Sequence, residues 1–104
     1  MIELFFWPTP NGMKPLIFLR ETGFEYELTP VDINQGEQFG QRFLKIAPNG
    51  RIPAIVDTVP KGGGSPVSVF ESGTILIYLA EKAGALLPDS LRARTAVLEW
   101  GMWQ

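Results

Sequence analysis

Residues 2–33 read IELFFWPTPNGMKPLIFLRETGFEYELTPVDI, and the order of patterns in this stretch decides the fold class. Ile2 to Trp7 is a β-rich run stopped by Pro8. Asn11 or Gly12 is placed to cap a helix with Pro15 in its first turn, where a missing N–H costs least. Leu16, Ile17, Phe18 and Leu19 make that helix apolar nearly all round, and Gly23 ends it. Tyr26 to Ile33 returns as a second strand with Leu28, Val31 and Ile33, and Pro30 within it marks an edge. Strand, helix and strand in such quick succession predict a parallel pair joined by a crossover helix.

Working outward, Phe39, Phe43, Leu44 and Ile46 recur at helical spacing and predict a helix from Glu37 to Ala47, closed by Pro48-Asn49-Gly50. Ile52 to Val56 reads as a third strand. Lys61 to Pro66 is a flexible, glycine-rich turn, and Val67 to Phe70 a fourth strand. Ser72 caps an apolar helix over Thr74 to Lys82 that Gly84 terminates. The predicted order is β-α-β-α-β-β-α, an α/β domain with parallel pairing first and a hairpin near its end. Pro88-Asp89-Ser90 then opens a further helix carrying Ala93, Ala96, Val97, Trp100 and Trp103 on one face, with Leu91, Leu98 and Met102 pointing elsewhere. A helix apolar on two sides needs partners. The expectation is a boundary near residue 84, with 85–104 a linker and the start of an incomplete all-α domain; a swapped or dimer-buried helix is the other reading.

Composition narrows the function. The chain has 104 residues, 45% hydrophobic and 19% charged, with a net charge of −2, so it is long enough for a core without staples. Charges are interspersed with no basic block, which argues against nucleic acid. The absence of cysteine excludes a disulfide framework, a Cys-x-x-Cys redox pair and thiolate metal sites, and the absence of histidine removes the commonest general base and metal ligand. No membrane span or secretory leader is visible, and a cytoplasmic location is expected. The Gly62–Gly64 run lacks the Gly-Lys-Ser/Thr of a phosphate cradle. Phe5, Phe6, Phe18, Phe39, Phe43 and Tyr78 read as core or interface, and Lys14 as a cation that could attract an anionic ligand.

Three motifs, PTPNGMK (8–14), FLKIAPNGRIPAIVD (43–57) and FESGTILIYLAEK (70–82), carry a resemblance in their order and spacing. The chain resembles the amino-terminal half of the cytosolic glutathione transferases over about residues 1–87, most closely the nu-class type and its disulfide-reductase members. The tail resembles the first helix of that family's all-α domain. The resemblance implies a thioredoxin-like fold, glutathione as co-substrate, no metal, a homodimer, and a small disulfide or electrophile as second substrate.

It also implies how a chain without thiols performs thiol chemistry: glutathione brings the sulfur, and the fold favours its thiolate, the nucleophilic form. A free thiol near the cysteine reference value is only about 3% ionised at neutral pH, and lowering its pKa by two units takes about 2.7 kcal/mol. One hydrogen bond to a charged group contributes about 1.5–3 kcal/mol, and a helix N-terminus about 0.3–1 more. Thr9 and Asn11 match the positions that aim donors at the sulfur. Ser72, at a helix N-terminus, would take the γ-glutamyl carboxylate, and Glu71 the neighbouring ammonium. Ile52 would offer main-chain hydrogen bonds to the cysteinyl unit, beside a cis bond before Pro53. Gln38 matches the position holding the glycyl carboxylate, and Arg51 adds positive charge at that end. Read on residue types alone, Asn11 and Ser72 are equally helix caps, Thr9 a turn residue, and Gln38 and Arg51 solvated groups. The expected activity is glutathione-dependent disulfide-bond reduction, with conjugation to an electrophile as its neighbour. The alternatives are a non-catalytic glutathione-binding regulatory module or an inactive fragment. Relatives of the regulatory kind can carry a long Asn-rich extension before the first strand, whereas here that strand starts at residue 2.

Overall fold

The computed structural model describes residues 1–103; Gln104, the end of the predicted tail, lies outside the described residues. Four strands form one sheet in the order β2-β1-β3-β4. They are β1 (Ile2–Phe6), β2 (Tyr26–Pro30), β3 (Ala54–Asp57) and β4 (Val67–Phe70). β1 runs parallel to β2 and antiparallel to β3, and β3 and β4 form the antiparallel hairpin. The α/β, thioredoxin-like expectation therefore holds. Pro30 lies on an edge strand, where no ladder N–H is demanded of it.

Alternation along β1 divides the core in two. Ile2 and Leu4 face one side of the sheet with Ile55 and Val69, and there helices α1 (Pro10–Thr22) and α3 (Ser72–Ala83) cover them with Leu16, Leu19, Ile75 and Leu79. Phe5 points to the opposite face and packs with Val31, Ala47, Ala54 and Phe43 of α2 (Gln41–Ile46). Full burial of each such side chain stabilises by about 1.5–3 kcal/mol.

Several predicted boundaries shift for identifiable reasons. β2 ends at Pro30, and Ile33–Gln35 forms a 3₁₀ turn capped by Asp32, whose carboxylate accepts from Asn34 N–H at 2.9 Å. The predicted Glu37–Ala47 helix is broken: Glu37–Phe39 is 3₁₀, Gly40 is extended at φ −64°, ψ 148°, and only Gln41–Ile46 is α-helical. Phe39 is consequently outside the core, 64% exposed, with its ring over Gly50. α1 begins at Pro10, so Thr9 is its cap rather than Asn11 or Gly12, and Pro15 stands inside the helix rather than in its first turn. Similarly, Glu71 holds the cap position of α3 and Ser72 is its first residue. A fourth helix, α4 (Leu91–Trp103), lies beside the start of α3, with Met102 Sδ 3.6 Å from where a Cβ on Gly73 would stand.

Candidate functional site

The β1–α1 turn owes its shape to two local devices. Thr9 is extended at φ −116°, ψ 164°, and its Oγ1 accepts the Gly12 N–H at 3.1 Å, while Pro10 at the first helical position has no N–H to leave unpaired. Gly12 is buried because the chain doubles back on it: a Cβ there would stand 2.1 Å from the Trp7 carbonyl oxygen. The sequence places the first device, the cap, at Asn11 or Gly12; the signal for Thr9 was present in Thr9-Pro10, a capping residue followed by the residue that best tolerates the first helical position.

The turn opens onto two adjoining cavities. One, of about 260 Å³, is lined by Thr9, Asn11, Ile33, Gln38, Arg51 and Ile52 together with Gly50. The other, of about 340 Å³, has Asn11, Lys14, Glu71, Ser72 and Thr74 on its walls, with Met102 of α4 at one side. Asn11 belongs to both. Thus all seven residues singled out in the sequence line one of two openings, joined at Asn11. Volumes of this order suit a small molecule. A further cavity of about 170 Å³ between α3 and α4 is apolar and contains none of them.

The polar groups are disposed for an external ligand. Gln38 Oε1 is the only buried side-chain polar atom without a hydrogen-bond partner among the described residues. Such a group is rare in folded chains, and the amide can present either its oxygen or, half a turn on, its N–H donors. Glu71 sits at φ 73°, unusual for a residue with a Cβ, and its carboxylate is exposed. Ser72 is half-buried at the α3 N-terminus, where the first N–H groups lack helical partners. The Ile52–Pro53 bond is cis, as the resemblance implied. Asn11 is exposed, and its Oδ1 accepts from Lys14 Nζ at 3.0 Å. Among the described residues no group of His, Cys, Asp and Glu assembles as a metal site, and no helix is long and apolar enough to cross a membrane.

The family model for the glutathione S-transferase N-terminal domain matches residues 1–81. The chain belongs to that family. It is 54% identical over its 104 residues to the disulfide-bond oxidoreductase YfcG of Escherichia coli, covering all of this chain and 48% of that protein. The structure matches a glutathione transferase family member from Pseudomonas fluorescens, solved with two glutathione bound, at TM-score 0.93 and 44% identity over 98% of this chain and 44% of the other. A glutathione transferase from Pseudomonas putida, with one glutathione disulfide bound per subunit, gives TM-score 0.92 and 42% identity over 98% of this chain and 44% of that one. The chain spans about half the length of these relatives. The family read from the three motifs is therefore the family found.

Proposed function

We propose that this chain binds glutathione across the two joined openings and uses its thiolate in disulfide-bond reduction. The observation that carries the reading is the sharing of Asn11 between an opening with Thr9, Gln38, Arg51 and Ile52 and one with Glu71 and Ser72. A γ-glutamyl zwitterion suits the paired carboxylate and helix N-terminus. The glycyl carboxylate suits Gln38 and Arg51 at the opposite end. The sulfur between them then meets the Thr9 hydroxyl and the Asn11 amide.

In the reaction, the thiolate attacks one sulfur of a small disulfide; a glutathione–substrate mixed disulfide forms and a substrate thiolate leaves. A second glutathione thiolate attacks the glutathione sulfur of that intermediate, releasing the other substrate thiolate and glutathione disulfide. Two electrons reach the substrate and two glutathione molecules are oxidised. The protons lost by the glutathione thiols return to the product thiolates through solvent, so no histidine is needed. Residues 1–84 form the glutathione-binding unit, residues 85–104 belong with a helical partner region, the working assembly is a homodimer, and the location is cytoplasmic. The relatives named for disulfide-bond oxidoreduction and for bound glutathione disulfide support reduction over conjugation.

Calorimetry with reduced and oxidised glutathione, combined with disulfide turnover, tests this. Thr9→Ala and Asn11→Ala are each expected to slow turnover at least about tenfold, the worth of one hydrogen bond to a charged group. No heat with either form of the tripeptide, or a double variant turning over at the wild-type rate, would overturn the reading.

A further inference from the structure

We infer that Lys14 is a positioning residue that sets the orientation of the Asn11 amide, so that its N–H groups rather than its oxygen meet the sulfur. The inference rests on the proposed placement of glutathione sulfur beside Asn11. A carboxamide is ambiguous: its oxygen is an acceptor and its nitrogen a double donor, and the two differ by a half-turn about one bond. Only the nitrogen stabilises a thiolate. With the oxygen forward, a lone pair would face the anion and oppose ionisation.

Lys14 resolves the ambiguity. It lies one helical turn after Asn11 on α1, and its ammonium donates to Asn11 Oδ1 at 3.0 Å. Asn11 Nδ2 makes no hydrogen bond among the described residues, so both its N–H groups remain for a ligand. An ammonium has donors only, so it can hold the oxygen and never the nitrogen. Its position supports a role beyond surface decoration. A cation near a helix N-terminus is disfavoured by the helix dipole, yet Lys14 is half-buried there against the second opening. Among the charged groups lining the two openings, Glu71 opposes a nearby thiolate, while Arg51 lines the opening that Lys14 does not.

The test is ultraviolet titration of the glutathione thiol bound to the full chain, with wild type, Lys14→Met, Lys14→Arg, Asn11→Ala and the Lys14→Met/Asn11→Ala pair. Lys14→Met is expected to lower the thiolate fraction at neutral pH roughly two- to fivefold, the range of an exposed charged contact, and Lys14→Arg to restore it. In the Asn11→Ala background Lys14→Met is expected to add nothing, because the amide it orients is gone. A Lys14→Met thiol that titrates as in wild type, or the same fall in the absence of Asn11, overturns the inference. A wild-type chain that retains no glutathione sinks the thiolate reading and this inference together, whereas a bound and acidified thiol indifferent to Lys14 sinks this one alone.

Discussion

Thr9 performs two tasks without conflict because a hydroxyl both accepts and donates. Its lone pair takes the Gly12 N–H at 3.1 Å, while among the described residues its own hydrogen has only the Trp7 carbonyl, at a long 3.4 Å. That hydrogen can turn to a stronger acceptor such as a thiolate without loosening the cap. Gly12 is the less obvious partner in this arrangement. It is confined by space, with the Trp7 oxygen 2.1 Å from any added Cβ, and that oxygen belongs to a backbone that cannot swing aside as a side chain can. Gly12→Ala is therefore expected to push the turn and α1 apart, lowering stability by about 1–3 kcal/mol in urea unfolding. Retention on immobilised glutathione is expected to fall with it, because Thr9 and Asn11 ride on the same turn. Unchanged retention in a folded Gly12→Ala chain would separate the turn from the ligand.

Between elements, the polar group that matters for stability is Asp57 at the end of β3, fully buried on the face that α3 covers. Its carboxylate accepts from Lys82 Nζ at 2.7 Å, Tyr78 Oη at 2.8 Å and Val59 N–H at 3.0 Å, and Lys82 also donates to the Val59 carbonyl. Burial alone would raise its pKa, but these hydrogen bonds and the Lys82 charge outweigh it and hold Asp57 below the ordinary 3.8. Burial, the hydrogen bond to Asp57 and its negative charge push Tyr78 up from 10.0 to about 12. The signs follow. Asp57 contributes stability above its unfolded value, lost as pH falls below 3.8 toward the folded value, and Tyr78 contributes stability below pH 10.0, lost as pH climbs toward 12. Lys82→Met leaves a buried carboxylate without its cation and is expected to cost about 3–5 kcal/mol at neutral pH. Its stability is also expected to stop falling, or to rise, on acidification, since the stranded carboxylate then gains from protonation. A Lys82→Met chain with wild-type acid sensitivity would show that the pair does not act through Asp57. Nothing local in the sequence announces this pair, whose members stand 25 residues apart. The strands were legible because alternation leaves a period of two, as Ile2, Leu4 and Phe5 show. The break in the second helix was not, because Phe39 and Phe43 keep helical spacing whether or not Gly40 interrupts them, and only backbone geometry distinguishes the cases.

At the scale of the whole molecule, the chain joins a well-packed sheet unit to a helix that has little to hold it. None of α4 is buried: Leu91, Trp100 and Trp103 are 82%, 69% and 78% exposed, and the two indoles pack mainly on each other, edge to face at 5.5 Å. Leu98 and Met102 turn toward α3, but an apolar cavity of about 170 Å³ remains between the helices. The sequence showed this imbalance plainly, because apolar residues on two sides of one helix exceed what a single neighbour can cover; it could not show which side α3 takes. The seven proposed ligand residues lie between positions 9 and 72, ahead of α4 in the chain. Local stability follows buried apolar area. Backbone amides of α4 are therefore expected to exchange with solvent by local opening well before those of α1 and α3, whose inner faces carry Leu16, Leu19, Ile75 and Leu79. A version ending at residue 87 is expected to keep the sheet and its glutathione affinity within about threefold, since α4 adds only Gly101 and Met102 to the second opening. If that shorter chain unfolds, or α4 exchanges no faster than α3, then the contact of Met102 with the start of α3 is what sets Glu71 and Ser72 in place, and the helix belongs to the binding unit rather than beside it.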